Sequence, residues 1–298
     1  MPDALLLLPD FLLILCGFVL CRFTALDRPV WDAAERLVYY LLFPVLLFHS
    51  IVRTPLDPAS TASLALAGVV TVGCGIFLAY NLKRLPGVDA LAHASGAQVA
   101  FRFNSFIALA VAERLLGAQG VAWVALLVAL CVPICNVAAV WPLARQGGHG
   151  YLRELSRNPL IIATVAGLLA NIAGLKFPQP LALTLNRISL AALPLGLMAV
   201  GAGLRFGALR DWPLLATGFI AIRHLALPLV ALVLSALLHL PAPQALILLM
   251  FSALPTASSA YVLAARMGGR ADFVAGLVTL STLTGMVSLP LWLLLRPS

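Results

Sequence analysis

The chain has 298 residues, of which 62% are hydrophobic and only 10% are charged. A soluble domain carries about 25% charged residues and cannot bury this much apolar surface, so the composition excludes an ordinary soluble protein. The formal net charge of +8 is typical of membrane proteins, whose cytoplasmic loops are rich in Lys and Arg. Basic residues interleaved with aromatic ones, which would indicate a nucleic-acid partner, do not occur as a patch in the sequence.

Ten apolar runs predict ten transmembrane helices, because a helix needs about 20 mostly apolar residues to cross a bilayer. The runs lie at 4–22, 34–53, 60–80, 91–115, 119–141, 158–175, 181–204, 212–238, 243–265 and 272–295. The gaps between them are short, so we expect an all-α integral membrane protein without a soluble domain. The first run follows no basic stretch and precedes no small-residue cleavage site, so we expect it to be retained.

The distribution of basic residues predicts the orientation. If the N-terminus lies outside, the loops after the odd-numbered spans carry twelve Lys and Arg residues, and the opposite side carries five. Because cytoplasmic loops are enriched in Lys and Arg, this bias favours a multi-pass protein of the plasma (inner) membrane with both termini outside.

The two halves of the chain share glycine and proline positions. A shift of 150 residues aligns four pairs: Pro9 with Pro159, Gly17 with Gly167, Pro44 with Pro194, and Gly68 with Gly218. Each half contains five predicted helices, an odd number, so the two copies must have opposite orientations in the membrane. The sequence therefore predicts two inverted five-helix repeats, 1–145 and 146–298, an architecture common among secondary transporters.

The ninth span contains a proline among hydroxyl residues. Pro255 removes a backbone donor and clashes with the preceding helical turn. The freed carbonyls need other partners, and Thr256, Ser258 and Ser259 lie close by in the sequence. We predict that the helix is broken here, with a simple proline kink as the alternative.

The fourth span carries polar residues at the corresponding place, namely Arg102, Asn104 and Ser105. Asn104 precedes Gly117 by 13 residues, as Pro255 precedes Gly268 in the second half. In inverted-repeat transporters, the substrate site lies at interrupted helices in corresponding positions of the two halves. We therefore predict that the fourth and ninth helices are broken and cross near the membrane midplane.

Two arginines lie in the middle of predicted spans. A charge at this depth costs about 2.5–3.5 kcal/mol, so Arg102 and Arg223 each require a partner. The nearest acidic residue is Glu113, towards the end of the fourth span. An anionic substrate would be a natural partner for both arginines. In the alternative, Arg102 pairs with Glu113 or with helix-end carbonyls, and Arg223 snorkels or binds carbonyls.

The remaining reactive side chains do not predict a cofactor or a metal site. All five cysteines lie in or beside apolar runs, so we expect buried free thiols. Cys131 and Cys135 share a helix face, but they have no histidine or carboxylate nearby to complete a metal site. His49 and His93 are interpreted as neutral hydrogen-bonding groups near helix ends, with a proton-relay role as the alternative.

Four segments of the sequence resemble the auxin efflux carrier family, which includes bacterial malonate and malate permease-like members. The likeness covers nearly the whole chain in order and spacing. The segments are the second helix at 37–48 (LVYYLLFPVLLF), the start of the sixth at 157–160 (RNPL), the seventh at 193–204 (LPLGLMAVGAGL), and the ninth and tenth at 253–257 (ALPTA) and 289–290 (LP).

The resemblance implies that the helices form two groups with different roles. Helices 1, 2, 6 and 7 would form a scaffold, with a homodimer through helices 2 and 7 as one arrangement, and helices 3–5 and 8–10 would form a transport domain. Asn104 and Pro255 match the family's crossover asparagine and proline. The chain departs from the family pattern at Phe103, where glycine or proline is usual, and at Val111, where proline is common.

These patterns together predict a secondary transporter that moves a small organic anion of the carboxylate type by alternating access. Its partners would be that anion and membrane lipid. The candidate substrate-binding residues are Arg102, Asn104, Ser105, Arg223, Pro255, Thr256, Ser258 and Ser259. A bile-acid-type sodium symporter of the same architecture is the main alternative. An intramembrane enzyme would require a cluster of catalytic groups, which the sequence does not contain, and a receptor is disfavoured by the inverted repeat.

Overall fold

A computed structural model of the protein describes residues 8–53, 58–144, 159–204, 209–257 and 259–295. Within these ranges the secondary structure is helical and no strand occurs. The α-helices are α1 Leu8–Phe23, α2 Arg28–Leu37, α3 Phe43–Arg53, α4 Pro58–Asn81, α5 Ala90–Gly96, α6 Gln98–Phe101, α7 Ser105–Ala144, α8 Pro159–Ile172, α9 Gln179–Ala202, α10 Pro213–Ala221, α11 Leu227–Leu237, α12 Ala242–Ala253, α13 Ser259–Arg266 and α14 Ala271–Leu294.

Short π-helical turns join two pairs of these helices. Val38–Leu42 connects α2 to α3, and Ile222–Ala226 connects α10 to α11. A π-turn inserts one extra residue into a helix and changes which side chains face its neighbours, and such turns are frequent at functional sites. Neither turn was predicted from the sequence.

Six helical runs in the described part of the chain are long and apolar enough to cross a membrane, judged by length and composition. They are Arg28–Arg53, Thr61–Arg84, Ala90–Leu143, Gln179–Ala202, Pro213–Leu237 and Ala271–Leu294. Two further apolar helices, Phe11–Phe23 and Ala242–Ala253, are shorter. The all-α prediction is confirmed for the described residues, whereas the organisation into ten spans stays a prediction.

The second predicted span begins earlier in the structure than its apolar run does. The helix starts at Arg28, six residues before the predicted boundary at 34. Its first turns are amphipathic, and the Arg28 guanidinium pairs with Asp32 at 2.8 Å and with Glu35 at 2.7 Å. Hydropathy detects the apolar part of a helix, so it misses a polar extension of this kind.

One compact unit comprises Met1–Thr61, Phe106–Ala129 and Leu152–Gly203. In it, α1 packs against α9, and α3 packs against α8. The first of these pairs depends on glycine, because a Cβ atom added at Gly17 would overlap the Met198 carbonyl, and one added at Gly201 would overlap the Ile14 carbonyl. Close approach of two backbones through small residues is a usual way to associate helices in a membrane.

A second compact unit comprises Ala62–Ser105, Leu130–Tyr151 and Leu204–Ser298. It contains two places where a helix is interrupted, at 102–104 and at 254–257. These interruptions bring backbone polar groups together in the interior of this unit, and the candidate site is built around them.

Two glycines that the sequence analysis placed in the same register share an unusual backbone conformation. Gly117 has φ 59° and Gly268 has φ 69°. This left-handed region is strained for residues that carry a side chain. In each half of the chain, a positive-φ glycine therefore follows the polar segment by 13 residues.

Candidate substrate site

The two interruptions contact each other through the backbone. Helix α6 ends at Phe101 and α7 begins at Ser105, while α12 ends at Ala253 and α13 begins at Ser259. The backbone N–H of Asn104 donates to the carbonyl oxygen of Pro255 at 2.8 Å. A helix end leaves N–H and C=O groups without partners inside the helix, and this bond satisfies one such group from each segment.

Arg102 lies in the first interruption, where three neutral side chains accept from its guanidinium. Its Nη1 donates to Gln98 Oε1 at 3.2 Å, and its Nη2 donates to Asn136 Oδ1 at 2.9 Å and to Ser259 Oγ at 3.2 Å. The side chain is half-buried, and Ser259 is exposed. These contacts hold the planar group in place.

Arg223 lies in the π-turn of 222–226 and is only 1% exposed. Its Nε donates to Leu254 O at 2.6 Å, and its Nη2 donates to Phe251 O at 3.0 Å and to Ser252 O at 2.8 Å. Its Nη1 reaches Arg102 O, in the other interruption, at 3.5 Å. The partners of this buried guanidinium in the described structure are thus backbone carbonyls of both interruptions and of the last turn of α12.

The position of Arg223 follows from the way α12 ends. The last carbonyls of a helix have no partner in the helix and carry a partial negative charge. Phe251 and Ser252 belong to the last turn of α12, and Leu254 follows its end. A buried cation there satisfies these acceptors and complements the helix dipole. Direct contact between Arg223 and the substrate stays a prediction.

Side chains of α14 and of the π-turn also hold the second interruption through hydrogen bonds. The backbone N–H of Thr256 donates to Ser281 Oγ at 3.0 Å. The imidazole of His224 lies between two serines, with Nε2 2.9 Å from Ser281 Oγ and Nδ1 2.9 Å from Ser288 Oγ. The π-turn therefore contributes two consecutive side chains, Arg223 and His224, that fix the same non-helical segment.

The other predicted residues of the site differ in burial. Asn104 and Pro255 are buried, and Ser105 is half-buried. Thr256 is 0% exposed, and its Oγ1 has no hydrogen-bond partner within the described part of the chain. A buried hydroxyl without a partner carries a desolvation cost. Ser258 lies outside the described residues.

Sequence reasoning missed Gln98, Asn136 and Ser281. Gln98 lies one helical turn before Arg102, and Asn136 is an amide within an apolar run, so both could have been found by listing amides in the predicted spans. Ser281 offers no such signal, because hydroxyl residues are common in the tenth span and only the fold shows which one meets Thr256 and His224.

A cavity of about 570 Å³ lies in the same unit, between α14 on one side and α10 with the π-turn of 222–226 on the other. Its lining is mostly apolar and includes Arg210, His224 and Ser288, but neither Arg102 nor Asn104. We therefore place the candidate site at the two interruptions, where the polar groups converge, rather than in this cavity.

The sequence matches a known protein family. The model of the family described as "Membrane transport protein" matches residues 142–293, which is half of the chain. The chain belongs to this family. Membership in the membrane transport protein family confirms the predicted auxin-efflux-carrier relationship, and it indicates a multi-pass membrane transporter rather than an enzyme.

Two relatives align with nearly the whole length of this membrane transport protein. A protein of Rhizobium meliloti (strain 1021), named "Putative malonate transporter", is 27% identical over 315 aligned positions that cover 95% of this chain and 94% of the relative. A protein of Methanothermobacter thermautotrophicus, named "Uncharacterized transporter", is 27% identical over 287 positions that cover 94% of each chain. Both names describe transporters.

Proposed function

We propose that this membrane transport protein carries a small organic anion of the carboxylate type across the membrane by alternating access. The observation that carries the proposal is the arrangement of Arg102 in the first interruption, half-buried and held by three neutral side chains. A guanidinium fixed in this way presents a planar positive charge, which suits the two oxygens of a carboxylate. The name of the Rhizobium meliloti relative adds support.

The other candidate residues would complete the site around that charge. Asn104 and Ser105 follow Arg102 directly and would offer an amide and a hydroxyl to the anion. Thr256 would offer its buried hydroxyl from the second interruption, which begins next to Pro255. Ser259 already contacts Arg102 at 3.2 Å, and we propose that it and Ser258 bind a second polar group of the substrate.

We further propose that ten helices form two inverted repeats, with broken helices 4 and 9 crossing at the site. Helix α1 packs on α9, and α3 packs on α8. In the predicted numbering these pairs are helices 1 with 7 and 2 with 6. In two five-helix repeats, helix 1 corresponds to helix 6 and helix 2 to helix 7, so the two pairs are equivalent. Both termini would face outside, in which case a cysteine introduced at Arg84 should react with an impermeant thiol reagent only from the cytoplasmic side.

The anion proposal is tested by ligand binding to the purified protein. Malonate and other small carboxylates should raise the Tm in a saturable way, because a ligand that binds only the folded state stabilises it. Malonamide has nearly the same shape without charge and should have no effect at equal concentration. A stabilisation that is the same for the acid and the amide would contradict an anion site.

We expect Thr256→Val to weaken anion binding without destabilising the protein. Valine has nearly the same shape, and the hydroxyl that it removes has no partner in the described structure, so the Tm should stay constant or rise. If Thr256 Oγ1 binds the anion, the loss of one hydrogen bond of about 0.5–1.5 kcal/mol should raise the Kd of malonate about 2- to 12-fold.

The matched control is Thr71→Val, at another buried threonine of the same unit, whose Oγ1 donates to Ala67 O at 2.7 Å. This substitution removes a bond within its own helix and should leave the Kd unchanged. A Thr256→Val protein with unaltered affinity would exclude the threonine from the substrate site.

A further inference from the structure

The carbonyl oxygens around Arg223 resemble a binding site for a monovalent cation. Oxygens of Phe251, Ser252 and Leu254 lie 2.6–3.0 Å from its Nε and Nη2 atoms. A fourth oxygen, from Arg102, lies 3.5 Å from Nη1 and belongs to the other interruption. Several backbone carbonyls that converge from a broken helix are the ligands with which transporters bind cations such as Na⁺.

Without a cation, this cluster would be unstable. The oxygens lie at the C-terminal end of α12, where the helix dipole is negative. Buried carbonyls without a donor are costly, because each loses its hydrogen bonds to water. The cluster therefore requires donors or a positive charge, and in this protein the guanidinium of Arg223 provides both.

We propose that Arg223 is a resident cation of the transport site. It fills the carbonyl cluster that a free monovalent cation would otherwise occupy, and it holds the two interruptions together by bonding to carbonyls of both. It is thus a positioning residue that acts on the anion through the backbone and through its charge. The effect on the anion rests on the proposed function, whereas the filling of the cluster does not.

The local structure explains why the cation is built in rather than exchangeable. Arg223 is 1% exposed and lies in the π-turn of 222–226, which α10 and α11 hold on both sides. The next residue, His224, is bonded through its ring to Ser281 and Ser288 and through its carbonyl to Trp292 Nε1 at 2.8 Å. The backbone that carries the guanidinium is therefore fixed, and binding of the anion would not require a sodium ion in this cluster.

Chemical rescue tests this inference without any substrate. Arg223→Ala should leave the carbonyl cluster empty, and guanidinium ion at millimolar concentration should bind there. We expect a saturable rise in the Tm of this variant, of about 3–5 °C when guanidinium is present at about ten times its Kd. In the wild-type protein the cluster is already filled, so guanidinium should produce no saturable rise.

The matched control is Arg187→Ala, which removes an exposed arginine from α9 and should show no rescue. Choline at the same concentration controls for ionic strength, and NaCl tests whether a smaller cation also fills the cluster. A folded Arg223→Ala protein that guanidinium does not stabilise would overturn the proposal, as would equal stabilisation of all three proteins.

A second variant keeps the test decisive if Arg223→Ala does not fold. Arg223→Lys keeps a tethered cation, so it should fold and should not respond to guanidinium. A lysine variant that fails to fold would also overturn the proposal, because positive charge alone would then not satisfy the cluster. The Tm is measured without substrate, so the two proposals can fail separately. If guanidinium stabilises Arg223→Ala but the protein binds no carboxylate, the proposal of a resident cation stands and only the proposed anion transport is contradicted.

Discussion

Arg102→Gln should raise the Kd of malonate about 10- to 150-fold. A hydrogen bond to a charged group contributes about 1.5–3 kcal/mol, and about 1.4 kcal/mol corresponds to a factor of ten in affinity. Glutamine can still bond to the neighbouring amides, so the change removes mainly the positive charge. Calorimetric titration of the purified protein measures the effect directly.

Three comparisons separate a binding role for Arg102 from a structural one. Arg102→Lys should recover only part of the affinity, because lysine keeps the charge but lacks the planar two-pronged geometry. Arg187→Gln, at an exposed position, should bind malonate normally. If Arg102→Gln lowers the Tm while the folded protein binds malonate as tightly as wild type, Arg102 serves helix packing and the anion preference loses its main support.

Gly201→Ala should destabilise the protein by about 3 kcal/mol, near the upper end of the usual cost of overpacking a core. The new methyl group would overlap the backbone carbonyl of Ile14, and a backbone atom cannot move aside as a flexible side chain can. Helices α1 and α9 would have to separate, with loss of their packing. A fall in Tm of about 6–12 °C, or a loss of folded protein on size-exclusion chromatography, would show this.

The control for the glycine contact is Gly73→Ala. Gly73 lies within α4, and a Cβ atom added there would have no atom within 4 Å. Alanine is a better helix former than glycine by about 1 kcal/mol, so the control variant should be as stable as wild type or more so. Equal stability of the Gly201 and Gly73 variants would show that α1 and α9 are not packed as closely as described.

The apolar runs and the interruptions were largely predictable from sequence, for physical reasons. A helix that crosses a bilayer must be apolar over a nearly fixed length, so hydropathy locates it well. Pro255 removes a backbone donor wherever it lies in a helix, and helix α12 ends at Ala253, just before it. The same rules could not give the start of the second span at Arg28, because its first turns carry the charged residues Arg28, Asp32 and Glu35 and hydropathy alone does not detect them.

The partners of the site residues depended on tertiary structure instead. A buried arginine in an apolar span requires a partner, but nothing in the sequence distinguishes an anion from carbonyls as the partner of Arg223. The answer lies in the π-turn of 222–226, which turns Arg223 and His224 towards the second interruption. Asn136 is recognisable as an amide in an apolar span, but its bond to Arg102, 34 residues away in the chain, depended on the fold.

Uptake of radiolabelled malonate into proteoliposomes tests most directly that this protein is a carrier for small organic anions. The purified chain should catalyse saturable uptake that unlabelled mono- and dicarboxylates inhibit and malonamide does not. Proteoliposomes with Arg102→Gln should retain only a small part of the uptake measured at low malonate concentration, while those with Arg187→Gln should match the wild type. Uptake no faster than in protein-free liposomes for every carboxylate tested, or equal inhibition by malonate and malonamide, would contradict an anion carrier.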